Sequence, residues 1–313
     1  WKRSTQSPPC RMNLFPCAAC AISARRALTS PGCTNPGMAE SFPHTASTAA
    51  GSAYAGCCRA ALKRQDSGFQ EDVILGDYSH PKQTSAILPR FMGKHRYPAG
   101  YGPVEPIADY RPWELDSSFS GVADAVAEHT KVDRMRLWEL WTLTHNLRDV
   151  PGDILEVGVW RGGSAAVLGR AAGAGRRLIL ADTFRGVVKA GPRDDYYKGG
   201  EHADTEEQVV WDLLNSMDLE SVVVLPGIFP DETADAVSDA LFALVHIDVD
   251  VYQSGRDVFE WAWPRLSEGG VVVFDDYGFY GCEGITALVN EIFADPPGRV
   301  IHNLNGHALV IKV

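Results

Sequence analysis

The chain has 313 residues, 45% of them hydrophobic, enough for one large or two small packed domains. Its formal charge of −11 is uneven: residues 1–70 carry eight basic and two acidic residues, a net of +6, which leaves −17 on the remainder. A body that acidic excludes nucleic acid as a partner and suits a neutral or cationic small molecule, or a metal ion. No apolar run approaches the roughly 18 residues of a membrane span, so no membrane partner is expected.

The front of the chain differs from the rest. Six of the seven cysteines (Cys10, Cys17, Cys20, Cys33, Cys57 and Cys58) fall in it, and Cys282 alone lies in the body. The Cys17-x-x-Cys20 pair has no second pair or nearby histidines to complete a zinc site. Residues 1–70, rich in Pro, Ser, Ala, Gly and Thr without periodicity, read as a disordered low-complexity segment. Arg25 and Arg26 precede no apolar h-region, so no secretory signal is predicted and a cytoplasmic protein is expected. The basic, acid-poor front also resembles a transit peptide, and Met38 is an alternative start. Residues 71–132, rich in proline and aromatics, read as an irregular arm or lid. From there to residue 313 the pattern is that of a folded catalytic domain. Met135, Leu137, Trp138, Leu140, Trp141 and Leu147 predict a helix over Asp133–Arg148, closed by Pro151-Gly152, with its tryptophans in the core.

The body is organised around Asp153–Ser164, DILEVGVWRGGS. A short apolar strand turns at Gly158, and an alanine-rich helix follows Gly162-Gly163-Ser164. Strand, glycine turn and helix bind nucleotide-like cofactors, because glycine lets backbone and ligand approach closely. The spacing is not the dinucleotide fingerprint G-x-G-x-x-G. The form is the looser E-x-G-x-x-x-G-G, with Glu156 inside the turn, where a carboxylate repels a pyrophosphate but pairs with the amino group of a methionine moiety. S-adenosylmethionine is favoured over NAD.

Further strands are predicted at Arg177–Ala181, Val222–Leu225, Leu241–Ile247 and Gly270–Phe274, with helices at Thr205–Met217, after Asp250 through Trp263, and at Ile285–Phe293. A helix start is predicted at Phe229–Thr233. Two closing strands near Val300 and Leu309–Lys312 predict an antiparallel hairpin on the sheet edge. The fold class is α/β: a doubly wound, mostly parallel, seven-stranded sheet covered on both faces. Its ligand crevice lies at the carboxyl ends of the strands, where the polar residues gather.

Asp182 ends the second strand, where such sheets place an acid against ribose hydroxyls; capping a helix is the other role open to it. Gly158, Val159, Gly162, Ser164, Thr183 and Phe184 complete the expected cofactor contacts. Asp248, Asp275 and Asp276 end two strands expected to be neighbours. Carboxylates converging there repel one another unless a cation or protons intervene, and a hard divalent ion, Mg²⁺, resolves the conflict. Such an ion activates a hydroxyl toward the sulfonium methyl, with Asp248 as general base. Asp250 is ranked below Asp248 because a continuing strand would turn it to the opposite face. His246 is expected to be buried, and His202 and His307, alternative bases to Asp248, are ranked first as solvated loop residues or structural hydrogen-bonders. Phe184, Tyr196, Tyr197, Lys198 and His202 form a candidate lid over the acceptor.

The stretches GDILEVGVWRGGS, ADTFRG, GIFPDET, HIDVDVYQS and GGVVVFDDYG, in this order, resemble the macrocin O-methyltransferases of natural-product pathways. The resemblance covers Asp133 to Val313. It implies a class I methyltransferase fold, S-adenosylmethionine, and a divalent metal on Asp248, Asp275 and Asp276 with the first as base. It also implies methylation of a sugar hydroxyl on a glycosylated metabolite, and a homo-oligomer. Val249 stands where that family usually has glycine. The alternatives are a hydroxylase-like protein on the same fold, an NAD-dependent dehydrogenase, opposed by the missing fingerprint, and a binding module without turnover. The last is opposed by the cost of keeping three clustered carboxylates buried without a metal.

Overall fold

A computed structural model describes residues 99–102, 104 and 108–313. The cysteine-rich front, the candidate Cys17/Cys20 pair and the expected disordered segment lie outside the described residues. Among the described residues no helix is long and apolar enough to cross a membrane.

Seven strands form one sheet in the order β3-β2-β1-β4-β5-β7-β6. They are β1 (Asp153–Val157), β2 (Leu178–Asp182), β3 (Val222–Pro226), β4 (Phe242–Ile247), β5 (Leu266–Phe274), β6 (Arg299–His302) and β7 (Ala308–Ile311). β1 to β5 run parallel. β7 returns antiparallel against β5, and β6 pairs with β7 as a hairpin. Strand order reverses at β1/β4, the switch point where such a sheet opens its crevice.

The helices are α1 (Ser117–Ala125), α2 (Arg134–Asn146), α3 (Gly163–Ala172), α4 (Glu207–Ser216), α5 (Tyr252–Ala262) and α6 (Glu283–Ala294). Alternation along each strand sends its side chains to two different cores. Leu155, Val157, Val245 and Phe274 pack with Val258, Phe259, Ile285 and Val289 of α5 and α6. Ile154, Leu180, Leu244 and Val273 pack with residues of α1 to α4, among them Phe119, Leu140, Leu168 and Leu214. Trp141 is buried in that second core, and Trp138 packs edge-on to Phe119 with ring centroids 5.0 Å apart.

Two local readings differ from the structure. α1 lies within the stretch expected to be irregular. Asp116 caps it by accepting from the amides of Ser118 and Phe119, and Phe119 is fully buried in the core. One aromatic anchor and one cap fix this helix, and neither leaves a long periodic signal. The helix start expected at Phe229–Thr233 yields a single 3₁₀ turn, Ala234–Val237. Glu232 folds back onto the amide of Ile228 and satisfies the turn locally.

Candidate active site

The carboxyl ends of β1, β2, β4 and β5 open into a cavity of about 780 Å³. One end is made of backbone. Gly158 has φ +89, and a Cβ there would lie 1.7 Å from the carbonyl oxygen of Asp248, so only glycine lets the β1 and β4 exits touch. Gly162 (φ +87) caps α3, whose first amide, Gly163 N–H, is donated to His129 O. Asp182 ties these turns together. Its Oδ2 accepts from Val159 N (2.7 Å) and Trp160 N (2.8 Å), and its Oδ1 accepts from Phe184 N (2.7 Å). Asp182 therefore braces the glycine turn while lining the cavity, instead of capping a helix.

Gly158, Val159, Ser164, Asp182 and Thr183 all line the cavity. Gly162 shapes the turn from behind the wall, and Phe184 packs toward the α1–α4 core. Glu156 departs from expectation. It is fully buried, and its Oε1 lies 2.9 Å from Nδ1 of His246, its register partner on β4. The two-residue period that sends Val157 to the α5/α6 face sends Glu156 inward beneath α2 and α3, so it pairs with an imidazole and not with a ligand in the crevice. His246 is buried, as expected.

The other end is built from side chains. Oxygens of Asp248, Asp275 and Asp276 lie within 4.8 Å of one another. β4 and β5 are paired neighbours, His246 opposite Val273 and Ile247 opposite Phe274, so their exits bring these acids side by side. The protein's cations lie closest to one of the three, Asp275. Arg136 of α2, itself buried, donates from Nη1 to Asp275 Oδ2 (2.5 Å), and His307 Nε2 lies 2.8 Å from Asp275 Oδ1. Burial opposes ionisation of Asp275, but Arg136 and His307 outweigh it and hold its carboxyl below the usual range. Asp276 Oδ1 stands farther from Arg136 Nη1, at 4.0 Å, and the guanidinium offsets the cost at Asp248 and Asp276 only in part. Burial, then the charge of Asp275, pushes both well above the usual carboxylate range.

Asp250 belongs to this cluster, contrary to its ranking. β4 stops at Ile247, and a left-handed conformation at Asp250 (φ +63) turns its carboxylate back toward Asp276 and Cys282. Asp276 (φ +61), Trp160 (φ +49) and His202 (φ +64) adopt the same sparsely populated conformation around the cavity.

Arg136 and Glu139, which the sequence did not single out, hold the acids in place together with His307. Arg136 is gripped by Asp133 (2.8 Å) as well as Asp275, and these carboxylates keep it protonated despite burial. Its guanidinium also stacks over Phe279, 4.7 Å from the ring centroid. Glu139 accepts from Asn305 and from the side chain of Asn303, and its Oε2 lies 2.9 Å from His307 Nδ1. His307, expected near the surface or as a structural bonder, is thus a buried bridge between α2, the β6–β7 hairpin and Asp275. The one available signal was Arg136 falling on the apolar face of a helix otherwise facing the core.

The stretch 183–204 is a fastened wall. Asp194, also missed, is buried and accepts from Tyr252 N (2.9 Å) and Gly191 N (2.8 Å). Gly284 makes room for it, since a Cβ there would meet Asp194 Oδ1 at 1.8 Å. Tyr196, Tyr197 and His202 line the cavity, whereas Lys198 turns to Asp194 O. The Tyr197 hydroxyl lies 3.2 Å from His202 Nε2, and His202 Nδ1 lies 2.5 Å from Lys131 Nζ. A lysine has no lone pair to offer when charged, so it donates to Nδ1, and the proton of neutral His202 sits on Nε2.

A family model for macrocin O-methyltransferase matches residues 111–292. The 8-demethyl-8-(2,3-dimethoxy-alpha-L-rhamnosyl)-tetracenomycin-C 4'-O-methyltransferase of Streptomyces olivaceus is 37% identical over 194 residues, 57% of this chain and 71% of its own length. The mycinamicin III 3''-O-methyltransferase of Micromonospora griseorubida is 33% identical over 181 residues, 52% of this chain and 70% of its own. Among solved structures, the O-methyltransferase NovP superposes with a TM-score of 0.51 at 28% identity, over 59% of this chain and 82% of that one. The family model spans more than half of the chain, strands β1 to β5 and their exits included, and the chain belongs to the macrocin O-methyltransferase family of S-adenosylmethionine-dependent O-methyltransferases.

Proposed function

We propose that the enzyme transfers the methyl group of S-adenosylmethionine to a hydroxyl on the sugar of a glycosylated secondary metabolite, with a divalent cation, Mg²⁺, held by Asp248, Asp275 and Asp276. The observation that carries this reading is the acidic cluster facing the same cavity as the glycine turn. The two relatives above are named for methylating a rhamnosyl tetracenomycin and mycinamicin III, which supports a glycoside acceptor.

The residues present fit a hard cation. All three donors are carboxylate oxygens, the choice of Mg²⁺ or Ca²⁺ over softer metals. Asp248 and Asp276 are half-buried together, and Arg136, which lies closer to Asp275 and Asp133, relieves them only in part. When bound, such a cation lowers the pKa of an acceptor hydroxyl and fixes its orientation. Asp248 is placed to take the hydroxyl proton as the new O–C bond forms and the C–S bond breaks, leaving the thioether, the ether and one proton. Arg136 and His307 keep Asp275 ionised and aimed, and the backbone turns at Gly158 and Asp182 set the depth of the cofactor. In-line placement supplies much of the rate.

The test is the double substitution Asp275→Asn with Asp276→Asn, assayed against glycoside acceptors and by calorimetric titration of S-adenosylhomocysteine. Turnover should fall by about 10³-fold while homocysteine-cofactor affinity stays within a few-fold. Unchanged turnover would remove the metal from the reading, and a parallel loss of cofactor affinity would assign the pair to the fold.

A further inference from the structure

Behind the acidic cluster, on the core side of Asp275, three buried side chains converge. His246 on β4 and His307, which leads into β7, are 0% exposed, and Asp275 at the β5 exit is 2% exposed. Sheet order sets these strands side by side, β4-β5-β7. His246 stands opposite Val273, two residues before Asp275, and Phe274 stands opposite Ala308, the residue after His307. The two-residue period of the strands therefore brings all three side chains to one face, beneath Arg136 and Glu139 of α2. Their ligating atoms lie within 4.8 Å of one another.

One nitrogen of each imidazole is already committed. His246 Nδ1 lies 2.9 Å from Glu156 Oε1, and His307 Nδ1 lies 2.9 Å from Glu139 Oε2. An ionised carboxylate only accepts, so each Nδ1 carries a proton and the neutral ring keeps its lone pair on Nε2. Proteins support metal-bound histidines in this way: a carboxylate behind the ring fixes its tautomer and raises its basicity. In front stand His246 Nε2, His307 Nε2 and Asp275 Oδ1, none with a hydrogen-bond partner among the described residues. The last two are 2.8 Å apart but out of line for a hydrogen bond. Three buried acceptors facing one another are costly. One cation satisfies all of them, whereas a water does so only if His307 carries a second proton.

We propose that His246, His307 and Asp275 form a second metal site, behind the all-oxygen cluster, for a borderline transition ion of the Zn²⁺ class. Two imidazoles and one carboxylate suit Zn²⁺ over Mg²⁺. Tetrahedral donors at zinc bond lengths sit about 3.3 Å apart, so small side-chain shifts close the site. A carboxylate offers about four lone pairs, so Asp275 serves Arg136 through Oδ2 and still presents Oδ1 to the ion. Asp275 also lines the cavity, which gives the ion a way in. The ion ties β4, β5 and the β6–β7 hairpin together and takes no part in methyl transfer. The site stands whether or not Asp248 and Asp276 hold Mg²⁺.

The test is Co²⁺ and Zn²⁺ binding to the full chain, stripped with EDTA and then held in excess Mg²⁺ to occupy the oxygen cluster. Four-coordinate Co²⁺ absorbs in the visible, and thiolate charge-transfer bands identify any ion on the cysteines of residues 1–70. Wild type should take up an ion that His246→Gln binds more than about 100-fold less tightly, beyond the range for a supporting residue. Glu156→Gln, which removes only the carboxylate behind the ring, should weaken that ion by about 10- to 100-fold. Asp248→Asn alters the oxygen cluster alone and should leave it within about threefold. If His246→Gln does not fold, which a thermal melt will show, His307→Gln and Glu156→Gln carry the comparison. Equal uptake by wild type and these variants would overturn the site and leave the three atoms to a water and a second proton on His307. Uptake lost in Asp248→Asn but kept in His246→Gln would overturn it too, placing the ion in the oxygen cluster.

Discussion

The two ends of the cavity are built on different principles. At the glycine-turn end the shape is made by main chain: Gly158 in contact with the Asp248 carbonyl, Gly162 at the head of α3, and Asp182 collecting three amides. At the acidic end it is made by side chains from distant parts of the chain, Asp275 being held by Arg136, 139 residues earlier, and by His307. Backbone geometry is set locally and tolerates almost no change of residue. A side-chain cluster depends on tertiary placement, and it tolerates substitution in proportion to how its charge is compensated.

Breaking the main-chain end should have the largest effect. Gly158→Ala places a Cβ against a backbone oxygen that no rotamer can move, and at a φ that alanine rarely adopts. A loss of about 4 kcal/mol or more in chemical denaturation is expected, with S-adenosylhomocysteine binding abolished in whatever fraction folds. A midpoint within experimental error of wild type would show that the β1 and β4 exits can separate.

The side-chain end should answer less severely. Arg136→Met leaves Asp275 buried beside Asp276 with His307 as its remaining partner among the described residues, and should cost roughly 3 kcal/mol. The loss should shrink when Asp275→Asn is added, because the unpaired charge is then gone. Additive losses in that double-mutant cycle would mean that Arg136 acts through packing on Phe279.

The smallest effect separates the ends by pH. Asp248 and Asp276 have folded-state pKa values raised by burial and then by the charge of Asp275, so through these two groups the folded protein binds more protons than the unfolded chain. Stability from these two groups therefore falls as pH rises from the ordinary carboxylate range, near 3.9, through their raised values. Asp275 has the opposite sign: its contribution is present above the ordinary range and is lost in stronger acid. In EDTA the melting temperature should decline from mildly acidic to alkaline pH. Mg²⁺ at ten times its dissociation constant should return about 1.4 kcal/mol at the alkaline end and little at the acidic end. A Mg²⁺ effect independent of pH would place the ion away from Asp248 and Asp276.

Much of this was legible in the order of residues. Short apolar runs alternating with helical periods fixed a parallel sheet, and two closing strands fixed its antiparallel edge, because side-chain period follows directly from backbone geometry. Gly158, Asp182, Asp248, Asp275 and Asp276 stood out because each sits at a strand exit, the one place where a doubly wound sheet gathers its ends. Composition and motif alone therefore determined the fold class and the placement of the acids. The tertiary structure decided which charges meet. Glu156 was drawn inward to His246 by strand alternation, Asp250 was turned back into the cluster by a left-handed residue, and Arg136, His307 and Asp194 took their roles from partners far away in sequence. The physical reason is range: backbone conformation is governed by neighbours along the chain, whereas the partner of a buried charge is whatever packing brings within a few ångströms, and no local pattern records it.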